Sequence, residues 1–168
     1  MPYNLTQLNQ MDRAAFTNAL GAVFEDTPAI AELTWNNLPF HSITHLYEAM
    51  IHIVNTMNPS EKMALICAHP SLGDRVKMAE ASVIEQSSLG LDRLSSDEYN
   101  LFQSLNAAYR DRFKFPFIIA VKNHSKASIL KAFEQRLQND SQTEEDQALK
   151  EISQIAWFRL QNLIGDSL

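Results

Sequence analysis

The chain has 168 residues, of which 20 are acidic and 14 basic, and its formal net charge is −6. This length predicts one domain covering residues 1–168, and a hydrophobic fraction of 45% is typical of a chain that folds around a core. No segment is strongly basic, which argues against a nucleic-acid partner. The single cysteine, Cys67, excludes an internal disulfide and a zinc site built from cysteines.

The sequence also argues against a membrane partner and against export. A membrane-spanning helix needs roughly 18 or more consecutive apolar residues, and no run here approaches that length. The first residues, Met1 to Asn4, lack the charged and apolar regions of a secretory signal. We therefore expect a cytoplasmic protein.

The low glycine content is informative about the fold. The chain has 4 glycines, well below the usual fraction of about 7%. It contains no Asn-Gly, Asp-Gly or Gly-Gly pair for a tight hairpin, and no glycine-rich loop that binds nucleotide phosphates. Alanine, leucine, glutamine and glutamate are common instead, and these residues favour helices.

Capping residues and prolines predict where the helices begin and end. Ser95 with Glu98 matches a capping box, and Ser141 with Glu144 repeats the pattern. Pro70 ends a helix, because the residue before a proline is pushed out of the helical region. The predicted helices begin near Asn9, Pro28, Ser42, Pro59, Asp74, Ser95, Ser125 and Ser141. We therefore expect an all-α fold, a compact bundle of about eight short helices in a single domain.

Apolar residues at helical spacing predict which side chains form the core. After Ser42 the predicted inner face is Leu46, Met50, Ile53 and Met57. After Ser95 it is Leu101, Phe102, Leu105, Ala108 and Tyr109. One stretch, residues 115–121, is predicted to be extended instead, since it is rich in β-branched and aromatic residues and has a proline near its start.

His69 is the first candidate for chemistry. It follows a helix and precedes Pro70, where an imidazole could face a cleft and exchange protons near neutral pH. The alternative is a histidine that caps the carbonyls of its own helix and has no further role.

Ser82, Glu85 and Gln86 form the second candidate. Ser82 and Glu85 are three residues apart and share a helical face. A carboxylate there could orient a histidine, whereas the alternative is a solvated polar face.

The extended stretch that ends before Lys122 is the third candidate. Its backbone amides and carbonyls need partners when buried, and a ligand rich in amide groups would supply them. An ordinary buried connection is the alternative.

The remaining histidines and the cysteine give weaker signals. His41 and His45 are four residues apart, but His41 precedes the predicted Ser42 cap, so we expect no metal site. Cys67 is expected to be a small buried hydrophobic residue on its helix.

Three blocks of the sequence, taken in order, resemble one family. They are Ala68 to Arg75 with its His69-Pro70 pair, Ser82-x-x-Glu85-Gln86 followed by Gly90-Leu91, and Asn106-x-x-Tyr109 followed by residues 113–122. They resemble the blocks of 2-oxo-4-hydroxy-4-carboxy-5-ureidoimidazoline (OHCU) decarboxylases, which act in urate degradation. The resemblance extends from about Leu8 to Leu163, and Lys114 stands where the family usually has a glycine.

The resemblance implies an all-helical, cofactor-free, homodimeric enzyme that converts OHCU into (S)-allantoin and carbon dioxide. It implies that His69 handles the proton and that Glu85 fixes the orientation and tautomer of the imidazole. The substrate-binding residues that it implies are Pro70, Ser82, Gln86, Phe117, Ile118, Ile119, Ala120 and Lys122.

Each group of those residues has an expected role. Ser82 is expected to hydrogen-bond the ureido or ring amides, and Lys122 to supply positive charge. The backbone of Phe117 to Ala120 is expected to pair with substrate amides. Two other functions stay open from the sequence: a non-catalytic helical ligand-binding or adaptor module, and a decarboxylase of a related ureido acid.

Overall fold

The computed structural model describes residues 2–72, 85–87, 89–91 and 94–165. Within those residues the fold is all-α, as predicted, and its only β-type pairing is an isolated bridge between Tyr3 and Ile164. The helices are α1 (Leu5–Asn9), α2 (Arg13–Leu20), α3 (Ala29–Thr34), α4 (Ile43–Thr56), α5 (Pro59–Cys67), α6 (Ser96–Phe113), α7 (Lys126–Arg136) and α8 (Ser141–Leu163). Short 3-10 turns cover Trp35–Asn37 and Val121–Asn123.

The helix predicted to begin at Asp74 lies outside the described residues except for residues 85–87, which are helical. None of the helices that the structure describes is long and apolar enough to cross a membrane. The chain divides into two compact units: unit 1 is Met1–Leu65 with Ser153–Leu168, and unit 2 is Ile66–Ile152. The single domain of residues 1–168 therefore stays a prediction.

Unit 1 is built around α2, α3 and α4, with α3 against both of the others. The buried face of α4 consists of Leu46, Met50 and Val54. Ile53 and Met57, which were also predicted for this face, are only half-buried. The buried positions of α4 therefore recur at every fourth residue. Ser42 caps α4 as predicted, since its side chain accepts a hydrogen bond from the His45 amide at 3.0 Å.

The start of α2 differs from the sequence prediction. Asp12, rather than Asn9, caps this helix by accepting from the Ala15 amide at 2.8 Å. Asn9 instead bonds both backbone groups of Phe40, at 2.8 and 2.7 Å. Its carboxamide is therefore used in a contact between distant parts of unit 1, which local spacing does not reveal.

Unit 2 has an aromatic core beneath α6. The buried face of this helix is Phe102, Asn106, Tyr109 and Phe113. Of the other predicted core residues, Leu101 and Ala108 are exposed and Leu105 is half-buried. The predicted face is thus rotated from the observed one. The observed face includes the polar Asn106, which a search for apolar residues at helical spacing leaves out.

Candidate active site

His69 lies in unit 2, just beyond the end of α5 at Cys67. Its amide donates to the Ile66 carbonyl at 3.2 Å, which closes the last turn of the helix. The residue is only 6% exposed. An imidazole in such a place is shielded from bulk water, which strengthens any electrostatic interaction that it makes.

The residues directly after His69 are tied to α6. Leu72 is buried, and its carbonyl accepts a hydrogen bond from Asn106 Nδ2 at 2.8 Å. Ser71 Oγ accepts from Arg110 Nη2 at 3.3 Å. Pro70, a predicted binding residue, is half-buried between His69 and these anchored positions.

Glu85 and Gln86 lie on a short described helical segment that ends in a Schellman motif. The Leu91 amide donates to the Gln86 carbonyl at 3.1 Å, and the Gly90 amide donates to the Ser87 carbonyl at 3.0 Å. Gly90 has a φ of +77°, which is the left-handed conformation this motif requires. Gln86 is buried and Glu85 half-buried. The motif gives a structural reason for Gly90-Leu91 in the sequence block.

Ser82 lies outside the described residues, and its binding role stays a prediction. Lys122 is an exposed residue of the 3-10 turn Val121–Asn123. The stretch predicted to be extended over residues 115–121 is reduced to residues 116–120, because Phe115 lies in a bend and Val121 already belongs to this turn.

Residues 116–120 are buried and belong to neither a helix nor a strand. Several of their backbone groups are paired within unit 2. The Ile118 carbonyl accepts from Arg136 Nη1 at 2.6 Å, and the Ala120 amide donates to Glu151 Oε2 at 2.9 Å. The Ala120 carbonyl accepts from the Asn123 amide at 3.0 Å. The pairing of this backbone with substrate amides stays a prediction. It now concerns mainly the backbone groups of Phe117 and Ile119, because those named above already have partners within the protein.

A buried polar network supports this segment. Glu144 is fully buried, and its Oε1 accepts from Tyr109 Oη at 2.6 Å and from Arg136 Nε at 2.7 Å. The guanidinium carbon of Arg136 also lies 4.3 Å from the centre of the Phe117 ring. Burial, and secondarily the hydrogen bond to Glu144, raises the pKa of Tyr109 well above its usual range, so this phenol is neutral and donates.

The sequence did not identify Asn106, Arg136 or Glu144 as residues that support the site. Arg136 looks like a favourable charge at a helix end, and Glu144 was assigned to a capping box. In the structure Asp140 caps α8 by accepting from the Thr143 amide at 2.8 Å, so the predicted Ser141–Glu144 box is wrong. The Asn106-x-x-Tyr109 block is the sequence signal that includes Asn106, but it gave this residue no role of its own.

The remaining candidates lie on the surface. Cys67 is exposed, which corrects the prediction that it is buried. It occupies the last position of α5, directly after the buried Leu65 and Ile66. His41 and His45 stack with ring centroids 5.6 Å apart, and His45 Nδ1 accepts from the His41 amide at 3.4 Å. Across the described parts of the chain, no three His, Cys, Asp or Glu side chains are grouped to hold a metal ion.

Comparison with known proteins gives a consistent result. A family model for OHCU decarboxylase matches residues 9–161. A 2-oxo-4-hydroxy-4-carboxy-5-ureidoimidazoline decarboxylase of Halalkalicoccus jeotgali is 44% identical over 93% of this chain and 89% of its own length. A uric acid degradation bifunctional protein of a Bacillus species is also 44% identical. That match covers 96% of this chain but only 32% of the other protein.

Two solved structures share the fold. One is the crystal structure of an (S)-allantoin synthase, with a TM-score of 0.79 and 31% identity over 96% of this chain and 54% of the other. The second is an OHCU decarboxylase in the presence of (S)-allantoin, with a TM-score of 0.72 over 93% of this chain and all of the other. At 21% identity this second likeness shows the fold alone.

The all-α fold is therefore one that decarboxylases adopt. The chain belongs to the OHCU decarboxylase family.

Proposed function

We propose that this protein is a carboxy-lyase that converts OHCU into (S)-allantoin and carbon dioxide, a step of urate degradation. The observation that carries the proposal is family membership, with 44% identity to a relative of similar length. The buried His69 supports it, because a proton carrier for stereospecific chemistry must be shielded from bulk water.

The reaction needs little more than orientation and one proton. The bond between the ring carbon and the carboxylate breaks, and the electron pair delocalises into the adjoining imine system while carbon dioxide leaves. Protonation on one face of the carbon that becomes stereogenic then gives a single enantiomer. The protein must hold the carboxylate, stabilise the developing negative charge and deliver that proton.

The residue roles follow from this chemistry. His69 carries the proton, and Glu85 fixes the tautomer and orientation of its imidazole. Gln86 and Ser82 hydrogen-bond the polar substrate, and Pro70 shapes the wall beside His69. Lys122 contributes positive charge at the end of the segment that holds Phe117, Ile118, Ile119 and Ala120.

The resemblance also implies a homodimer that works without a cofactor, and the sequence itself predicts a cytoplasmic protein. These three points are part of the proposal. Sedimentation velocity on the purified chain would measure its oligomeric state, and turnover after exhaustive dialysis against a chelator would test independence from metal ions.

The direct test follows the optical activity of allantoin formed from urate. Urate oxidase and the hydrolase that acts after it would generate the labile substrate in place. We expect the (S) enantiomer to appear well ahead of the slow racemic background when this protein is added. A trace identical to background from folded protein would contradict the proposal, and would favour a binding module or a different ureido acid as substrate.

The assignment of His69 has its own test. We expect His69→Asn to abolish stereospecific turnover while leaving the helical circular dichroism intact. His52→Asn is the matched control, because His52 is an exposed residue of α4 in unit 1. Near-normal turnover by folded His69→Asn would remove this residue from the mechanism.

A further inference from the structure

Two side chains of α6 hold the segment that follows His69, one through its backbone and one through a side chain. Asn106 Nδ2 donates to the Leu72 carbonyl at 2.8 Å, and Arg110 Nη2 donates to Ser71 Oγ at 3.3 Å. Asn106 and Arg110 are four residues apart and so project from the same side of the helix. One helical turn therefore anchors the second and third residues after His69.

These two anchors differ in their surroundings. Asn106 is 8% exposed and Leu72 is 3% exposed, so water does not compete for the bond between them. The bond from Arg110 to Ser71 is longer and lies at the surface. Asn106 is therefore the stronger anchor of the segment.

The second polar atom of Asn106 is costly to bury. Its Oδ1 is buried and has no hydrogen-bond partner among the residues described here. A buried acceptor without a partner opposes folding at least as strongly as one hydrogen bond favours it. Replacing Asn106 with an apolar residue removes this acceptor but leaves the buried Leu72 carbonyl without its donor, so the two costs largely offset each other and the main effect falls on the position of Leu72.

We propose that Asn106 is a positioning residue, whose bond to the Leu72 carbonyl fixes the backbone after His69 and thereby the imidazole. This inference rests on the proposed function, since it gives Asn106 a part in placing the proton carrier. Three residues further along α6, Tyr109 bonds Glu144 and packs edge-on against Phe117. A single stretch of α6 thus supports both segments of the candidate site.

The test replaces Asn106 with leucine, which has a similar shape but no hydrogen-bond donor. Asn100→Leu makes the same change at an exposed position of the same helix and serves as the control. Three quantities are measured for each variant: the unfolding midpoint, the hydrogen exchange of residues 66–72, and the separate values of kcat and KM.

We expect Asn106→Leu to unfold close to the wild-type midpoint, while residues 66–72 exchange roughly tenfold faster than in the control. We expect kcat to fall by about tenfold or more, with KM changed by less than about threefold, because the proton carrier is misplaced rather than substrate binding lost. If Asn106→Leu does not fold, Asn106→Ala removes the same donor without adding bulk and is measured in the same way.

Two further outcomes separate this inference from the proposed function. Unchanged kcat and unchanged exchange in folded Asn106→Leu would overturn the role of Asn106. If the wild-type protein forms no (S)-allantoin, the proposed function fails, and the exchange comparison alone then decides whether Asn106 holds the segment.

Discussion

At the scale of single residues, two of the three described positions with a positive φ each end a helix, and they carry different side chains. Gly90 closes the helical segment that carries Glu85, and Lys114 closes α6 with a φ of +64°. Glycine adopts this conformation without penalty, whereas a residue with a Cβ atom is disfavoured by about 1–2 kcal/mol. Lys114 is therefore a site of local strain.

Placing glycine at position 114 and a residue with a Cβ atom at position 90 should change the free energy of unfolding in opposite directions. We expect Lys114→Gly to raise the free energy of unfolding by about 0.5–1 kcal/mol, because relief of the strain exceeds the added freedom of the unfolded chain. We expect Gly90→Ala to lower it by about 1–2 kcal/mol. Urea unfolding of both variants measures the two changes, and a loss of stability in Lys114→Gly would show that its side chain makes a larger contribution than its backbone strain.

Glu85 gives a prediction about chemistry rather than stability. Replacing it with glutamine removes the charge while keeping the size and most of the hydrogen-bonding capacity. We expect most of the activity to be lost and the pH–rate profile to shift, since the residue proposed to orient His69 has changed. A profile of unchanged shape would show that Glu85 does not act through His69.

At the scale of helices, local signals predicted most boundaries but not all of them. Ser95 caps α6 and Ser125 caps α7 with the expected geometry, because such caps depend only on residues within one turn. Asn9 failed as a cap because a distant backbone, that of Phe40, takes its carboxamide. Glu144 failed because it pairs with Arg136, and contacts across a core leave no local pattern.

For the candidate site, too, the sequence predicted local features but not the contacts between distant residues. The blocks around His69, Glu85 and residues 116–120 could be selected from the sequence. The contacts that support those blocks could not be predicted, since Asn106, which belongs to a block itself, reaches Leu72 across 34 positions of sequence. Spacing within a helix carries no information about such a partner.

The cap of α8 gives a prediction about pH. Hydrogen bonds from the Thr143 amide hold the pKa of Asp140 below its ordinary value. A depressed pKa means that the stabilisation is present above the unfolded pKa of about 4 and is lost as the pH falls through the folded value. We expect the stability of Asp140→Asn to decline less than that of wild type on acidification below about pH 4.

Urea midpoints at several pH values measure this effect. Asp111→Asn, at an exposed position within α6, is the control for loss of a carboxylate away from a helix start. Parallel decline of wild type and Asp140→Asn would show that the cap does not depend on charge.

At the scale of the whole molecule, a buried ion pair lies among the described residues of each compact unit. Unit 1 has Arg159 with Glu25 at 2.9 Å, and unit 2 has Arg136 with Glu144 at 2.7 Å. Breaking a buried pair leaves an uncompensated charge, which costs about 3–5 kcal/mol. Each pair is therefore expected to be a strong determinant of the stability of its own unit.

Glu144→Gln tests this expectation in unit 2. We expect it to lower the free energy of unfolding by about 3–5 kcal/mol, since Arg136 then stays buried without a carboxylate. Lys126→Ala breaks the partly exposed Lys126–Glu98 contact at 3.4 Å and should lower stability far less, because water screens this pair. Equal losses in the two variants, measured by urea unfolding, would contradict the importance of burial.

The exposure of Cys67 has a practical consequence. It is the only cysteine of the chain, and it lies two residues before His69 at the last position of α5. A thiol-reactive fluorophore would therefore attach at one defined position beside the candidate site, without any engineered mutation. We expect its emission to change when that site is occupied, which would follow binding in real time even for a substrate too short-lived for equilibrium titration.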